Sequence, residues 1–281
     1  MRSDTLRVPG ATLYYEMRGK GPVLLVIPGG GGDANAADGM AEVLREHFTV
    51  VAFDARGYSR SALDPGAPQD QHVAVQSDDA FRLLTHLTDD PAFVYGGSHG
   101  AIVGLDLLAR HPDRVRALVA HEPPCFAVLP DAAEHRAMID EVHRLFHTEG
   151  LLAAAGRFLA AIDGAIKPGP EPAELSVREE QRRARSAANA PIMMEHELRE
   201  FTSYIPDYAA LASVADRLIL AVGRETRGCL PYRPAVEIAG HLGLTVTEFP
   251  GAHNGTLTHA QEVATQLIRV LTSAPSSTPA L

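Results

Sequence analysis

Short runs made largely of Val, Ile, Leu, Ala and Phe recur along this 281-residue chain, and stretches with helical spacing lie between them. The runs are Val23–Ile27 (VLLVI), Thr49–Phe53 (TVVAF), Ala92–Tyr95 (AFVY), Val115–Ala120 (VRALVA) and Leu218–Val222 (LILAV), with Ala11–Met17 and Thr245–Phe249 more mixed in character. Helical patterns fall at Met40–His47, Asp78–Leu87, Ala101–Arg110, Arg233–Leu242 and His259–Leu271. A strand that is apolar on successive residues needs cover on both faces, and helical crossovers between parallel strands provide it. The alternation therefore predicts an α/β fold with a mostly parallel sheet between helical layers.

The rhythm stops between Pro124 and Ser213. No strand pattern occurs there, only helical stretches such as Ala132–Phe146 and Leu151–Ile162, a Pro/Gly cluster at Lys167–Pro172, and an Arg-rich helical turn at Arg182–Arg185. We divide the chain accordingly into a core of residues 1–123 and 214–272 and a helical cap of residues 124–213 inserted between two core strands. Residues 273–281 are small, polar and Pro-containing, and are expected to be disordered.

Composition removes several classes of function. The 25 Lys+Arg against 35 Asp+Glu leave a net charge of −10, and no basic run interrupts it, so a nucleic-acid partner is not expected. Cys125 and Cys229 are too few for a disulfide framework or a zinc set. No apolar stretch reaches the roughly 18 residues of a membrane span, and Met1–Gly10 lacks the apolar centre of a secretory signal. The expectation is a soluble, cytoplasmic globular protein without a membrane partner.

One motif carries chemistry. The run Ala92–Tyr95 leads directly into Gly96-Gly97-Ser98-His99-Gly100 and then into a helical pattern. This is Gly-x-Ser-x-Gly in a strand–turn–helix setting, where glycines permit a turn that a Cβ would obstruct and the serine is held with its hydroxyl exposed. A serine hydroxyl needs a base. Among 13 histidines, His253 stands in a Gly/Pro-marked loop, Phe249-Pro250-Gly251-Ala252-His253-Asn254-Gly255, just beyond the last strand. His259 reads as the first turn of the closing helix, His241 lies on a helix, and His135, His143 and His147 fall at solvated positions of the insertion.

Two carboxylates could orient that histidine. Glu122, in His121-Glu122-Pro123-Pro124, follows the run Val115–Ala120 and is held between an apolar strand and two prolines. Glu225, in Gly223-Arg224-Glu225-Thr226-Arg227-Gly228, follows Leu218–Val222 but sits in a polar run where pairing with an arginine is equally natural. We favour Glu122 and keep Glu225 as the alternative acid. An oxyanion hole needs two preorganised N–H donors. The backbone of His99 offers one, and Gly30 in Pro28-Gly29-Gly30-Gly31-Gly32 is the candidate for the other. A phosphate loop is the weaker reading of these glycines, because no Lys-Ser/Thr follows them.

Taken together, the chain resembles the α/β-hydrolase superfamily over essentially its whole length outside the insertion. Phe53-Asp54-Ala55-Arg56-Gly57-Tyr58-Ser59-Arg60-Ser61 resembles that family's loop after the fourth strand, a mainly structural element, so Asp54 and Arg56 receive no catalytic role. Within the superfamily the chain resembles the fungal zearalenone lactonases in its Pro28–Gly32 loop, in His121-Glu122-Pro123-Pro124 after the sixth strand, and in His253 followed by Thr258-His259. The resemblance implies an eight-stranded sheet with a helical cap after the sixth strand, and it implies that Glu122 is the triad acid. Those lactonases set a cap tryptophan against the substrate; this chain has no tryptophan, so the macrolactone does not carry over.

The function expected is that of a serine hydrolase acting on a carboxylic ester or lactone of a small, largely apolar, polyketide-like molecule, with no metal or organic cofactor. Ser98, His253 and Glu122 would form the triad, and Gly30 and His99 the oxyanion hole. Gly31, Cys125, Phe158, Met193, Met194 and Tyr204 are candidates for the substrate pocket. The alternatives are a carbon–carbon bond hydrolase, an epoxide hydrolase, against which the absence of an acidic nucleophile counts, and a slow-turnover ligand receptor. A homodimer is one option for the assembly.

Overall fold

The computed structural model describes residues 1–64, 66–168 and 175–273. Nine strands form one sheet: β1 (Arg2–Val8), β2 (Ala11–Arg18), β3 (Val23–Ile27), β4 (Thr49–Phe53), β5 (Ala62–Leu63), β6 (Ala92–Gly97), β7 (Val115–His121), β8 (Leu218–Gly223) and β9 (Thr247–Phe249). The order across the sheet is β1-β2-β4-β3-β6-β7-β8-β9, with the two-residue β5 paired to β2 off this path. β1 and β2 run antiparallel to their neighbours, and every pair from β4 through β9 is parallel. The path itself thus has the eight strands expected.

Eleven helices accompany them among the described residues: α1 (Asp38–Leu44), α2 (Val73–Leu87), α3 (His99–Arg110), α4 (Ala132–Glu149), α5 (Leu151–Ala161), α6 (Val177–His196), α7 (Leu198–Thr202), α8 (Tyr208–Ala212), α9 (Tyr232–Leu242), α10 (Gly255–Thr258) and α11 (Ala260–Ser273). The continuous apolar runs are used as their composition demands, with alternate residues feeding two cores. Leu25 and Ile27 of β3 pack with Leu83 of α2, Ile102 of α3 and Ile238 of α9. Leu24 and Val26 point the other way, toward Met40 and Leu44 of α1 and Leu267 of α11. Both faces of the parallel strands are therefore dry.

Helices α4 to α8 all lie between β7 and β8, and no strand occurs among the described residues of that stretch. Met138, Ile139, Val142, Ala154, Ile162, Met194 and Leu198 bury one another in a third cluster, separate from the two sheet cores.

Several boundaries differ from expectation. β1 has no apolar run to announce it, because Arg2–Thr5 are exposed and only Val8 is buried on this edge strand. Thr245–Phe249 contracts to the three residues of β9. The closing helix is broken at His259, which ends α10 before α11 begins. α1 stops at Leu44, leaving Arg45–His47 in a turn. Ser273 ends α11, whereas residues 274–281 of the expected disordered tail and residues 169–172 of the Pro/Gly cluster lie outside the described residues.

Candidate active site

The parallel strands end at one rim, and five of those ends, β3, β6, β7, β8 and β9, build the site. β6 finishes at Gly97, and Ser98 turns the chain with φ 54° and ψ −125° before α3 starts at His99. A non-glycine residue in that region of conformational space is strained by about 1–3 kcal/mol. The flanking glycines show why the turn is possible: a Cβ on Gly96 would overlap the Gly100 carbonyl, and one on Gly100 would overlap the carbonyls of Ile27 and Pro28. The Ser98 N–H donates to the His121 carbonyl at 2.9 Å, tying the turn to the end of β7.

Glu122 follows β7 directly, is fully buried, and also has positive φ (47°). Its Oε2 lies 2.6 Å from His253 Nδ1. Its Oε1 accepts the Gly223 N–H at 2.8 Å from the end of β8, and also the Thr226 hydroxyl. Burial alone would raise the carboxyl; the His253 hydrogen bond, the nearby histidine charge and the Thr226 hydroxyl outweigh it and bring it down to about 2. An ionised carboxylate can only accept, so the shared proton belongs to His253 Nδ1, and Nε2 is the ring nitrogen left to serve as a base.

The His253 loop is laced to the segment after α5. The His253 N–H donates to Ala165 O at 3.0 Å, and the Asn254 amide both accepts from and donates to the Lys167 backbone. Glu225 is placed differently. Its side chain is 44% exposed, and Oε1 lies 4.0 Å from His259 Nε2 rather than beside His253.

The glycine loop after β3 presses against the elbow. A Cβ on Gly29 would stand 3.5 Å from Ser98 Cβ, and one on Gly30 would collide with the His99 ring. Ser98, Gly30 and His253 share a cleft of about 310 Å³ whose inner wall is Val26, Ala37, Met40, Ala52 and Tyr95. The Tyr95 hydroxyl is buried there without a hydrogen-bond partner among the described residues.

The six residues expected to line the pocket lie elsewhere. Met194 is buried in the apolar interior of the inserted helices, and the partly buried Phe158 and Met193 pack against it, Met193 also standing beside Gly31. Cys125 is buried in the larger sheet core, and Tyr204 packs on that core with its hydroxyl on Asp106. Gly31 turns its carbonyl to Asn189 Nδ2 at 3.0 Å and does not line the cleft.

Two residues beside the site carry no signal in the sequence. Glu197, buried between α6 and α7, hydrogen-bonds His99 Nδ1 through one oxygen and accepts the Tyr58 hydroxyl at 2.6 Å through the other. Asn189 of α6 accepts from Ser59 N and donates to Ser59 Oγ and Gly31 O, clamping two loops at the cleft. No local pattern marks these residues; an Asn and a Glu on a polar helix look like solvated positions until the helix is docked. Asp54 and Arg56, by contrast, make structural contacts, with Asp54 gripping Arg60 and the Ala34 N–H, and Arg56 paired to buried Asp79.

A strand-borne serine elbow, a histidine loop beyond the last strand and a helical insertion after β7 define a class, and the chain belongs to the alpha/beta hydrolase fold family; the model of that fold matches residues 22–156. It is a hydrolase of that fold. It is 32% identical over 277 residues to the uncharacterized hydrolase YraK of Bacillus subtilis (strain 168), covering 95% of each chain. It is also 34% identical over 124 residues to a zearalenone hydrolase of Bionectria ochroleuca, a match spanning 43% of this chain and about half (47%) of that protein. Among solved structures it superposes on a thermophilic esterase from Thermogutta terrifontis with a TM-score of 0.75 at 19% identity, covering 98% of this chain and 99% of the other, a likeness of fold.

Proposed function

We propose that the protein is a serine hydrolase that cleaves a carboxylic ester or lactone of a small, largely apolar molecule. The observation that carries this reading is the 2.6 Å contact from buried Glu122 to His253 Nδ1, which leaves His253 Nε2 basic beside the cleft that Ser98 lines. In this reading Ser98 Oγ attacks the ester carbonyl while His253 Nε2 takes its proton. The N–H groups of Gly30 and His99 receive the oxyanion. The tetrahedral adduct collapses as His253 returns the proton to the leaving alcohol oxygen, and water, activated by the same imidazole, then hydrolyses the acyl-enzyme. Glu122 holds the imidazole orientation and stabilises the imidazolium.

The cleft wall supports an apolar substrate. Val26, Ala37, Met40 and Ala52 suit an apolar acyl or ring portion, and the partnerless Tyr95 hydroxyl offers it a hydrogen bond. Helices α4 to α8, as a cap, would cover this portion and exclude water. The free thiols Cys125 and Cys229 and the small-molecule chemistry fit a cytoplasmic enzyme.

The test pairs hydrolysis of p-nitrophenyl butyrate with mass spectrometry after a fluorophosphonate probe. Wild type is expected to turn over and to gain one adduct on the peptide containing Ser98. Ser98→Ala should lose activity by about 10⁴-fold or more with its melting temperature unchanged. A Ser98→Ala enzyme retaining a tenth of the wild-type rate would overturn the reading.

A further inference from the structure

Away from the cleft residues, His143, His147 and Glu195 bring three donor atoms together between α4 and α6. His143 and His147 are four residues apart on α4 and so share a helix face. Their Nε2 atoms are 3.3 Å apart. Glu195 reaches across from the last turn of α6 and sets Oε2 at 2.9 Å from His147 Nε2 and 3.6 Å from His143 Nε2. That oxygen is buried from water, and although close to both nitrogens it makes no well-formed hydrogen bond among the described residues.

We propose that His143, His147 and Glu195 form a binding site for a divalent transition-metal ion, with Zn²⁺ the best fit, that fastens α4 to α6. Metal–nitrogen and metal–oxygen bonds of about 2.0–2.2 Å in a tetrahedron require donor–donor separations of about 3.3–3.5 Å. The observed set of 3.3, 2.9 and 3.6 Å brackets that value, and small side-chain rotations close the difference. Two imidazoles and one carboxylate are borderline donors, suited to zinc and its neighbours and poorly suited to Mg²⁺ or Ca²⁺, which prefer oxygen cages. The rings are also braced: His143 and His147 meet edge to face at 4.6 Å, and Phe146 packs edge-on against His147 at 5.5 Å. Three protein ligands leave a fourth position for water.

An ordinary salt-bridge cluster is the simpler alternative, and its geometry argues against it. A carboxylate beside a protonated histidine normally takes a directed N–H bond, which Glu195 Oε2 lacks. The position of Glu195 gives the site a consequence for the fold. It lies two residues before Glu197, whose carboxylate holds His99 and Tyr58, so a bound ion would pin the turn of chain that reaches the elbow. The ion takes no part in the reaction proposed above, and the site stands whether or not that reaction is correct.

The experiment uses tag-free, chelator-treated full-length protein titrated with ZnCl₂ by calorimetry and with CoCl₂ by visible absorption. One ion per chain, intense tetrahedral Co²⁺ bands and a higher melting temperature with Zn²⁺ are expected. His147→Ala and Glu195→Gln should each weaken binding about tenfold or more and abolish the thermal shift. His147 is half exposed, so its removal should leave the metal-free melting temperature near wild type, and that baseline is measured alongside. No binding, or binding with equal strength in wild type and a His143→Ala/His147→Ala double variant, would overturn the proposal by placing the ion on other surface histidines.

Discussion

Glu122 lies at the centre of the candidate site, and its surroundings determine what its loss should do. It accepts three hydrogen bonds, from His253, Gly223 and Thr226, in a fully buried position. Glu122→Gln keeps the shape but turns an amide toward one donor and removes the charge that stabilises an imidazolium. We expect kcat to fall by orders of magnitude, on the scale of about 10⁴ seen for the wrong-tautomer variant of a serine protease. Glu225→Gln should change kcat little, because Glu225 faces solvent and His259. Steady-state kinetics on the two variants decides between them, and a crippled Glu225→Gln would reverse the assignment. The residue scale also shows strain placed where chemistry is proposed: among described non-glycine residues, positive φ occurs at Ser98, Glu122 and Ser59.

At the scale of elements, the question is which helices read the substrate. Met194 is 4% exposed inside the inserted helices, so Met194→Ala should act as a cavity mutation, lowering stability by about 2–5 kcal/mol without reordering substrate preference. The acyl portion would instead meet α1 and the β3–β4 face. Ala37→Leu, which adds bulk at the cleft wall, should shift relative kcat/KM toward short acyl esters by more than about 1 kcal/mol. Chemical denaturation and a chain-length series of esters separate the two effects; an unchanged ranking in Ala37→Leu would move the acyl site elsewhere. The inserted helices line the same cleft through Arg182 and Ser186 of α6, and they act by a second route as well. Glu197 links them to the elbow through His99, so Glu197→Ala leaves an imidazole and the Tyr58 hydroxyl buried without their partner. A stability loss of about 3 kcal/mol is expected. A kcat loss with KM nearly unchanged should accompany it, since the His99 ring supports the Gly30 loop, and Glu197→Gln should recover part of both. Activity indifferent to both substitutions would show the link to be structural only.

For the molecule as a whole, two buried groups under the site set the response to acid. Burial pushes His121 down to about 4, with the Glu122 charge opposing only in part. The folded state thus binds fewer protons than the unfolded chain from about pH 6.5 down to about 4. Stability from this group is complete above that window and is lost as pH falls through it, by an amount on the order of 3 kcal/mol. Glu122 extends the same trend, from the ordinary carboxylate range down to about 2. Denaturant midpoints should therefore fall steeply on acidification from neutral pH, and His121→Asn should flatten the upper part of that slope; a flat profile in wild type would contradict the placement of His121.

The chain's own pattern was enough for the parallel sheet, because a strand dry on both faces has to read as Val23–Ile27 and Leu218–Gly223 do, whatever surrounds it. It was enough for the elbow as well: the clashes that forbid a Cβ at Gly96 and Gly100 are short-range and leave a local signature. The position of Glu122 after β7 and of His253 after β9 could be read because both follow strand ends that share one rim. β1 could not be read, since an exposed edge strand is stabilised by its ladder to β2 and carries little hydrophobic periodicity. The same limit hid Glu197 and Asn189, and it misdirected the pocket to Phe158, Met193 and Met194. An amphipathic helix announces that it has an apolar side, but the surface that side meets, another inserted helix or the cleft, is set by long-range packing. Only the docked structure reveals that these apolar side chains pack mainly on one another, while Glu197 and Asn189 reach the elbow and its neighbouring loops.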